Sequence, residues 1–184
     1  MRQPDEDQQL IALLQDPATA RRGFEQMVRL YSERIYWQVR RIVLTHEDAD
    51  DVLQNTFIKA WSNLNTFHGD AKLITWLSRI AINESLDFVR KQKRHTLMSV
   101  DEDDTGIANQ LMADDYFDGD ETEAQLQEAI AKLPDVQRTV FLLRYYDEMP
   151  YAEMSQVLMT SVGALKASYH HAVKKITEFF HTHD

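Results

Sequence analysis

Apolar residues recur at three- and four-residue steps along most of this chain, the period of amphipathic helices. Phe24, Met27, Tyr31, Ile35, Val39 and Ile42 form one such stripe and predict a long helix. A second helix starts at Thr45, with Asp48 three residues on in the manner of a capping box, Asp replacing the usual Glu. Over DADDVLQNTFIKAWSNL it places Leu53, Phe57, Ala60, Trp61 and Leu64 on one face. Its acids crowd the first turn, where the helix dipole favours them. Asn65 to Asp70, with Gly69, breaks the pattern. A third helix runs from about Lys72 to Arg94, with Leu73, Leu77, Ile80 and Ala81 facing inward. Trp61 and Trp76 read as core residues.

The period then fails. HTLMSVDEDDTGIANQLMADDYFDGDETEA carries too much like charge and too few apolar residues to fold by itself, and predicts an extended or disordered linker. Helical spacing returns at Leu126, Ile130 and Leu133. Pro134 opens the next helix, PDVQRTVFLLRYY, because its missing N–H falls where none is needed. Asp147 to Met149 turn the chain. Pro150 opens a short helix, and Thr160 or Ser161 caps a longer one whose buried stripe is Val162, Leu165, Tyr169, Ala172, Ile176 and Phe179. The expected class is all-α: a helical domain over residues 1–95, an acidic linker over 96–123 and a helix-turn-helix domain over 124–184. No internal repeat is visible.

Composition sharpens this outline. The chain has no Cys, which removes disulfides and Cys-based zinc sites and fits a reducing compartment. No apolar run approaches the ~18 residues that span a bilayer. The polar, acidic start MRQPDEDQQL is unlike a signal peptide, so a cytoplasmic protein with no membrane insertion is expected. The net charge of −10 looks hostile to nucleic acid, yet residues 95–131 hold 11 acids and no Lys or Arg. Both ends are therefore near neutral and able to carry local basic patches.

Two surfaces offer such patches. On the third helix Thr75, Arg79, Asn83, Asp87, Arg90 and Arg94 share a stripe, and the helix ends in RKQKR. Such a face either holds phosphates, with Asn and Thr reaching base edges, or is a solvated surface whose cations suit the helix C-terminus. Asn65 to Asp70 could shape a pocket for an unstacked base. In the terminal motif Gly163, Ala167, His170, His171 and Lys174 oppose the buried stripe, with Lys166 beside them. Small residues at a helix start admit the backbone to a major groove, and Ala167 can meet a thymine methyl. An ordinary helical hairpin has the same pattern. Adjacent His170 and His171 point apart, so no metal site is expected. The outer face of the second helix, Asp51, Gln54, Asn55 and Lys59, is either solvated or a protein-docking face. No phosphate loop, GxSxG or HExxH occurs, and neither catalysis nor a cofactor is expected.

DADDVLQNTFIKAWSNLNTF followed by TWLSRIAINESLDFVRKQKR resembles region two of bacterial sigma factors. LPDVQRTVFLLRYYDEMPYAEMSQVLMTSVGALKASYHHAVKKI resembles their region four. Two regions and a linker look like the extracytoplasmic-function (ECF) group of the sigma-70 family, over most of residues 20 to 180. The resemblance implies core RNA polymerase as partner, through its β′ clamp and β flap, with promoter DNA and an anti-sigma factor. It assigns polymerase binding to Asp51, Gln54, Asn55 and Lys59. Reading and opening of the −10 element fall to Phe67, His68, Gly69, Asp70 and Lys72 in the loop. Along the following helix they fall to Thr75, Arg79, Asn83, Arg90, Lys91, Lys93 and Arg94. Duplex recognition at −35 falls to Ser161, Gly163, Ala164, Lys166, Ala167, His170, His171 and Lys174. This chain has Asn55 where many members carry Glu, Met159 where Gly is frequent, and no Arg near His171 and Val173, which implies weak independent binding to the −35 element. The residues alone also admit a helix-turn-helix regulator binding operator DNA directly, or a helical adaptor that binds only protein.

Overall fold

The computed structural model describes residues 4–43, 45–69, 71–96 and 119–183. The acidic linker lies outside them except at its two ends, and so does Asp70. The described residues form eight α-helices and one 3-10 turn: α1 (Pro4–Gln15), α2 (Ala20–Val43), α3 (His46–Ser62), the turn (Leu64–Thr66), α4 (Leu73–Thr96), α5 (Glu121–Ala131), α6 (Asp135–Tyr145), α7 (Tyr151–Leu158) and α8 (Val162–His183). The all-α expectation holds.

The stripe read on α2 is the centre of the first four helices. Met27, Ile35 and Val39 are fully buried, and Tyr31 and Ile42 nearly so. α1, α3 and α4 all pack on this helix. α1 was not anticipated from the sequence. Leu10 and Leu14, four apart, bury one side of it, and Ile11 packs beside them. The Tyr31 hydroxyl donates to Asp7 Oδ1 at 3.1 Å. Gly23 permits the close approach of the two helices: a Cβ there would lie 3.0 Å from the Leu13 backbone.

Local chemistry sets the boundaries. Thr45 caps α3 by accepting the Asp48 N–H at 3.3 Å. α5 starts at Glu121, inside the expected linker, because Asp120 accepts the Glu123 N–H at 2.9 Å and caps it. Pro134 and Pro150 stand one residue outside their helices, with ψ 143° in each case, as caps in place of first residues. Thr56 and Ser85 are buried hydroxyls in helix interiors. Each donates to the carbonyl four residues back, at 2.8 Å, and leaves no polar group orphaned.

α3 is rotated from its expected setting. Its buried residues are Ala49, Val52, Thr56 and Ala60, whereas Leu53 and Phe57 are half-buried and Trp61 is 46% exposed. Small and β-branched side chains fill the tight α2–α3–α4 contact, and the large ones are displaced to its rim. Trp76, by contrast, packs on the core against Phe67, ring centroids 5.2 Å apart.

In the C-terminal half α8 lies against α5, α6 and α7. Leu165, Ala172 and Ile176 are buried, Tyr169 stacks on Phe141 at 5.8 Å, and Val162 is exposed where burial was expected. The break between α7 and α8 turns on Met159, whose φ of 51° and ψ of 42° are left-handed. Ser161 then caps α8 by accepting the Ala164 N–H at 3.3 Å. The left-handed region costs an L-residue about 1–2 kcal/mol, partly offset because Gly is freer when unfolded. Met159→Gly is expected to stabilise the protein by about 0.5–1 kcal/mol, a rise of roughly 2 °C in a thermal melt. Gly23→Ala is expected to lower the melting temperature by forcing α1 away from α2, at a cost of about 1–3 kcal/mol.

Candidate nucleic-acid interface

α7, the turn at Met159 and α8 form the helix-turn-helix. Because α8 buries Leu165, Ala172 and Ile176, its other side faces solvent. Gly163, Ala164, Lys166, Ala167, His170, His171 and Lys174 are all exposed there, and Ser161 precedes them. Nothing lies within 4 Å of a Cβ built on Gly163, so the helix start is bare. Lys166 sits 5.8 Å from the Tyr151 ring, and Lys174 is 3.7 Å from Glu178. The first can leave its ring cheaply, and the second is a surface pair worth under ~1 kcal/mol, so both remain available to phosphates. The rings of His170 and His171 are 6.0 Å apart, and no group of three or more metal-ligating side chains occurs among the described residues.

The second surface is on α4. Arg79, Asn83, Arg90, Lys91 and Arg94 are exposed along one side, and Lys72 just precedes the helix. Arg90 pairs with Asp87 at 3.0 Å, and Arg94 Nε donates to the Arg90 carbonyl at 3.3 Å. Lys93 is helical, but its side chain lies outside the described residues. Thr75 departs from the expected open stripe. It is buried, and its hydroxyl donates to Glu153 of α7 at 3.1 Å. Phe67 is likewise buried under Trp76, while His68 and Gly69 are exposed. The loop thus presents His68 and Gly69 on a base fixed by Phe67. Gly69 has φ 82°, which only glycine adopts freely, and a Cβ on it would lie 3.9 Å from Gln15 and 4.0 Å from Ile11 of α1. Helix α1 therefore walls this loop, a contact that local periodicity does not reveal.

On α3, Asp51, Gln54, Asn55 and Lys59 all face outward, and Lys59 pairs with Glu84 of α4. Beside them runs a shallow apolar groove of about 480 Å³, lined by Phe24, Val28, Leu53, Phe57, Ile58 and Trp61, with Asp50 and Gln54 on its rim. Phe24 meets Trp61 edge to face at 5.0 Å and Phe57 at 6.3 Å. Ile58 and Trp61 expose 57% and 46% of their surface. The rotation of α3 thus puts a line of large apolar side chains next to a polar rim, the composition of a protein-docking surface. Sequence reasoning found the rim and misplaced the groove in the core.

Two family descriptions match the chain: Sigma-70 region 2 over residues 27–95 and Sigma-70 region 4 over residues 123–176. The chain is 34% identical over 156 residues to the ECF RNA polymerase sigma factor SigW of Bacillus subtilis strain 168, covering 80% of this chain and 83% of SigW. Its fold matches that of CnrH, solved in complex with the cytosolic domain of CnrY, with a TM-score of 0.69 and 23% identity over 97% of this chain and 99% of CnrH. It also matches the sigma factor RpoE of Bartonella quintana, solved with the anti-sigma factor NepR, with a TM-score of 0.64 and 21% identity over 85% of this chain and 96% of that one. The chain belongs to the ECF RNA polymerase sigma factors. Members of this group bind core RNA polymerase and direct it to promoters.

The exposed half of Ile58 adds little to folding. Ile58→Ser is expected to change stability by no more than about 0.5–1 kcal/mol, read in a denaturant melt, which makes it a clean probe of the groove.

Proposed function

We propose a division of labour in which residues 1–95 bind polymerase and the −10 element, residues 124–184 bind the −35 element, and residues 96–123 tether the two. The observation that carries this reading is the pair of exposed, cation-bearing helix faces, α4 and the start of α8, on one chain that also carries an apolar docking groove. Two separate nucleic-acid contacts and a protein contact fit promoter recognition as part of a larger enzyme. The protein is not itself a catalyst; polymerase performs the chemistry. It works in the cytoplasm, and no described helix is long and apolar enough to cross a membrane.

Asp51, Gln54 and Asn55 contact the β′ clamp, with Ile58 and Trp61 of the groove supplying apolar area. Lys59, held by Glu84, borders the same surface. His68 and Gly69 receive a base unstacked from the −10 element, Asn83 reaches base edges, and Arg79, Arg90, Lys91 and Arg94 hold phosphates. On α8 Lys166 and Lys174 hold phosphates, and Gly163, Ala164 and Ala167 admit the helix to the major groove. The β flap is the partner of the C-terminal half. Because CnrH and RpoE were solved with CnrY and NepR, an anti-sigma partner is proposed here as well.

Run-off transcription with purified core polymerase on a promoter library tests the reading. Transcripts are expected to start at a defined set of sites, and their absence on every template refutes it. Arg79→Ala and Lys166→Ala are expected to reduce specific transcription at least tenfold. Each is also expected to flatten the log–log salt dependence of promoter binding by about one unit, the contribution of one phosphate contact. Trp61→Ala together with Ile58→Ser is expected to abolish capture by core polymerase while the far-UV spectrum stays unchanged.

A further inference from the structure

The break between α7 and α8 holds a side chain that neither the fold nor the proposed function uses. Met159 stands there in the left-handed region, at φ 51° and ψ 42°, and exposes 71% of its surface. Methionine is ordinarily a gap-filler of cores, and Met27, Met149 and Met154 are buried in that way. The turn is closed without the thioether. The Ser155 hydroxyl donates to the Thr160 carbonyl at 2.6 Å, the Thr160 N–H to the Ser155 carbonyl at 3.4 Å, and the Thr160 hydroxyl to the Leu158 carbonyl at 3.0 Å. Glycine would take the same backbone conformation freely. Strain retained in a recognition motif, under a side chain that lies in solvent, is the mark of a functional position.

The chemistry of the side chain narrows its role. A thioether is oxidised according to its access to solvent, and the chain has no Cys to react ahead of it. Resting on the proposed −35-reading role of α8, we propose that Met159 is an oxidation site through which a peroxide lowers −35 recognition. The sulfur lone pair attacks one oxygen of hydrogen peroxide. An S–O bond forms as the O–O bond breaks, and the departing hydroxide takes the proton of the transferred oxygen and leaves as water. Sulfur loses two electrons and peroxide gains them. Methionine sulfoxide reductases reverse the change, so the site can cycle.

Position supplies the consequence. In a helix-turn-helix the first helix crosses the DNA backbone and the second enters the groove, so the turn between them borders phosphates. Met159 precedes the α8 cap Ser161 by two residues and the bare start at Gly163 by four. A sulfoxide oxygen carries partial negative charge and holds water, and both oppose the approach of a phosphate. The exposed lysines of α8, Lys166, Lys174 and Lys175, are spread along its length, so little attraction at the turn offsets that penalty. The fold is spared, because Met159 takes no part in the core.

Full-length protein exposed to graded hydrogen peroxide, then digested and mapped by mass spectrometry, gives the oxidation rate at each methionine. Met159 is expected to gain oxygen roughly tenfold faster than Met27, Met149 and Met154, and equal rates overturn the site. The same map reads Met98 and Met112 of the acidic segment. Treated protein, freed of peroxide, is then assembled on untreated core polymerase for run-off transcription. Transcript from a promoter with a −35 element is expected to fall severalfold and to recover after methionine sulfoxide reductase. Met159→Leu and Met159→Gly, which have no sulfur at this position, are each expected to give the same transcript level with and without peroxide. Their resistance separates Met159 from Met98 and Met112. An equal loss in these variants and the wild type, or no loss in the wild type once Met159 is oxidised, overturns the proposal. Absence of transcripts from untreated protein on every template refutes the promoter-reading role instead, whereas transcription that is normal before and after oxidation refutes the oxidation switch alone.

Discussion

Burial of one seam of α2 organises this molecule. Met27, Ile35 and Val39 are closed to solvent, and the helices around them supply every surface of the N-terminal half for which a role is proposed. α3 lies on one flank and presents the groove and its polar rim. α4 lies on another and presents the basic face. α1 lies over the start of the seam and walls the loop between them. Removing a large side chain from such a seam costs about 2–5 kcal/mol, a large share of the stability of a small domain. The surfaces can be polar, bare or locally strained because the seam holds their supports in place.

The same logic explains why the two proposed nucleic-acid faces are sparse. α4 uses cations along one side only, since its other sides bury Leu73, Leu77, Ala81 and Ile82. α8 has small residues at its exposed start and three lysines, Lys166, Lys174 and Lys175, spread along its length, so each face alone is expected to bind phosphate weakly. Affinity then comes from linking two modest contacts through a shared partner, where the effective concentration of the second site replaces intrinsic strength. A sigma factor that gripped DNA tightly by itself would compete with its own holoenzyme for promoters.

Much of this was legible from residue order because it depends on local physics. The α2 stripe, the Thr45 cap, the turn at Asp147 to Met149 and the exposed side of α8 follow from helical period, capping and turn chemistry within a few residues. The stop at Gly69 is of the same kind, set by backbone conformations available to a short stretch of chain, whereas a methionine gives no local sign of the left-handed φ at Met159.

Other features were decided only by packing. Leu53, Phe57 and Trp61 have the spacing of a core stripe, and spacing cannot say which of two adjacent stripes wins. The close approach of α2 and α4 selects Ala49, Val52, Thr56 and Ala60 because they are small, and leaves the aromatic residues outside. Helix α1 gains its place from Gly23 and Tyr31, distant in sequence. The pairing of Arg41 with Asp147 and of Thr75 with Glu153 joins residues 106 and 78 positions apart. The sequence by itself determined seven of the eight helices, most of their ends and the chemistry of each face; the place of α1, which faces were buried, which stayed open and which met each other depended on long-range contacts that no local pattern encodes.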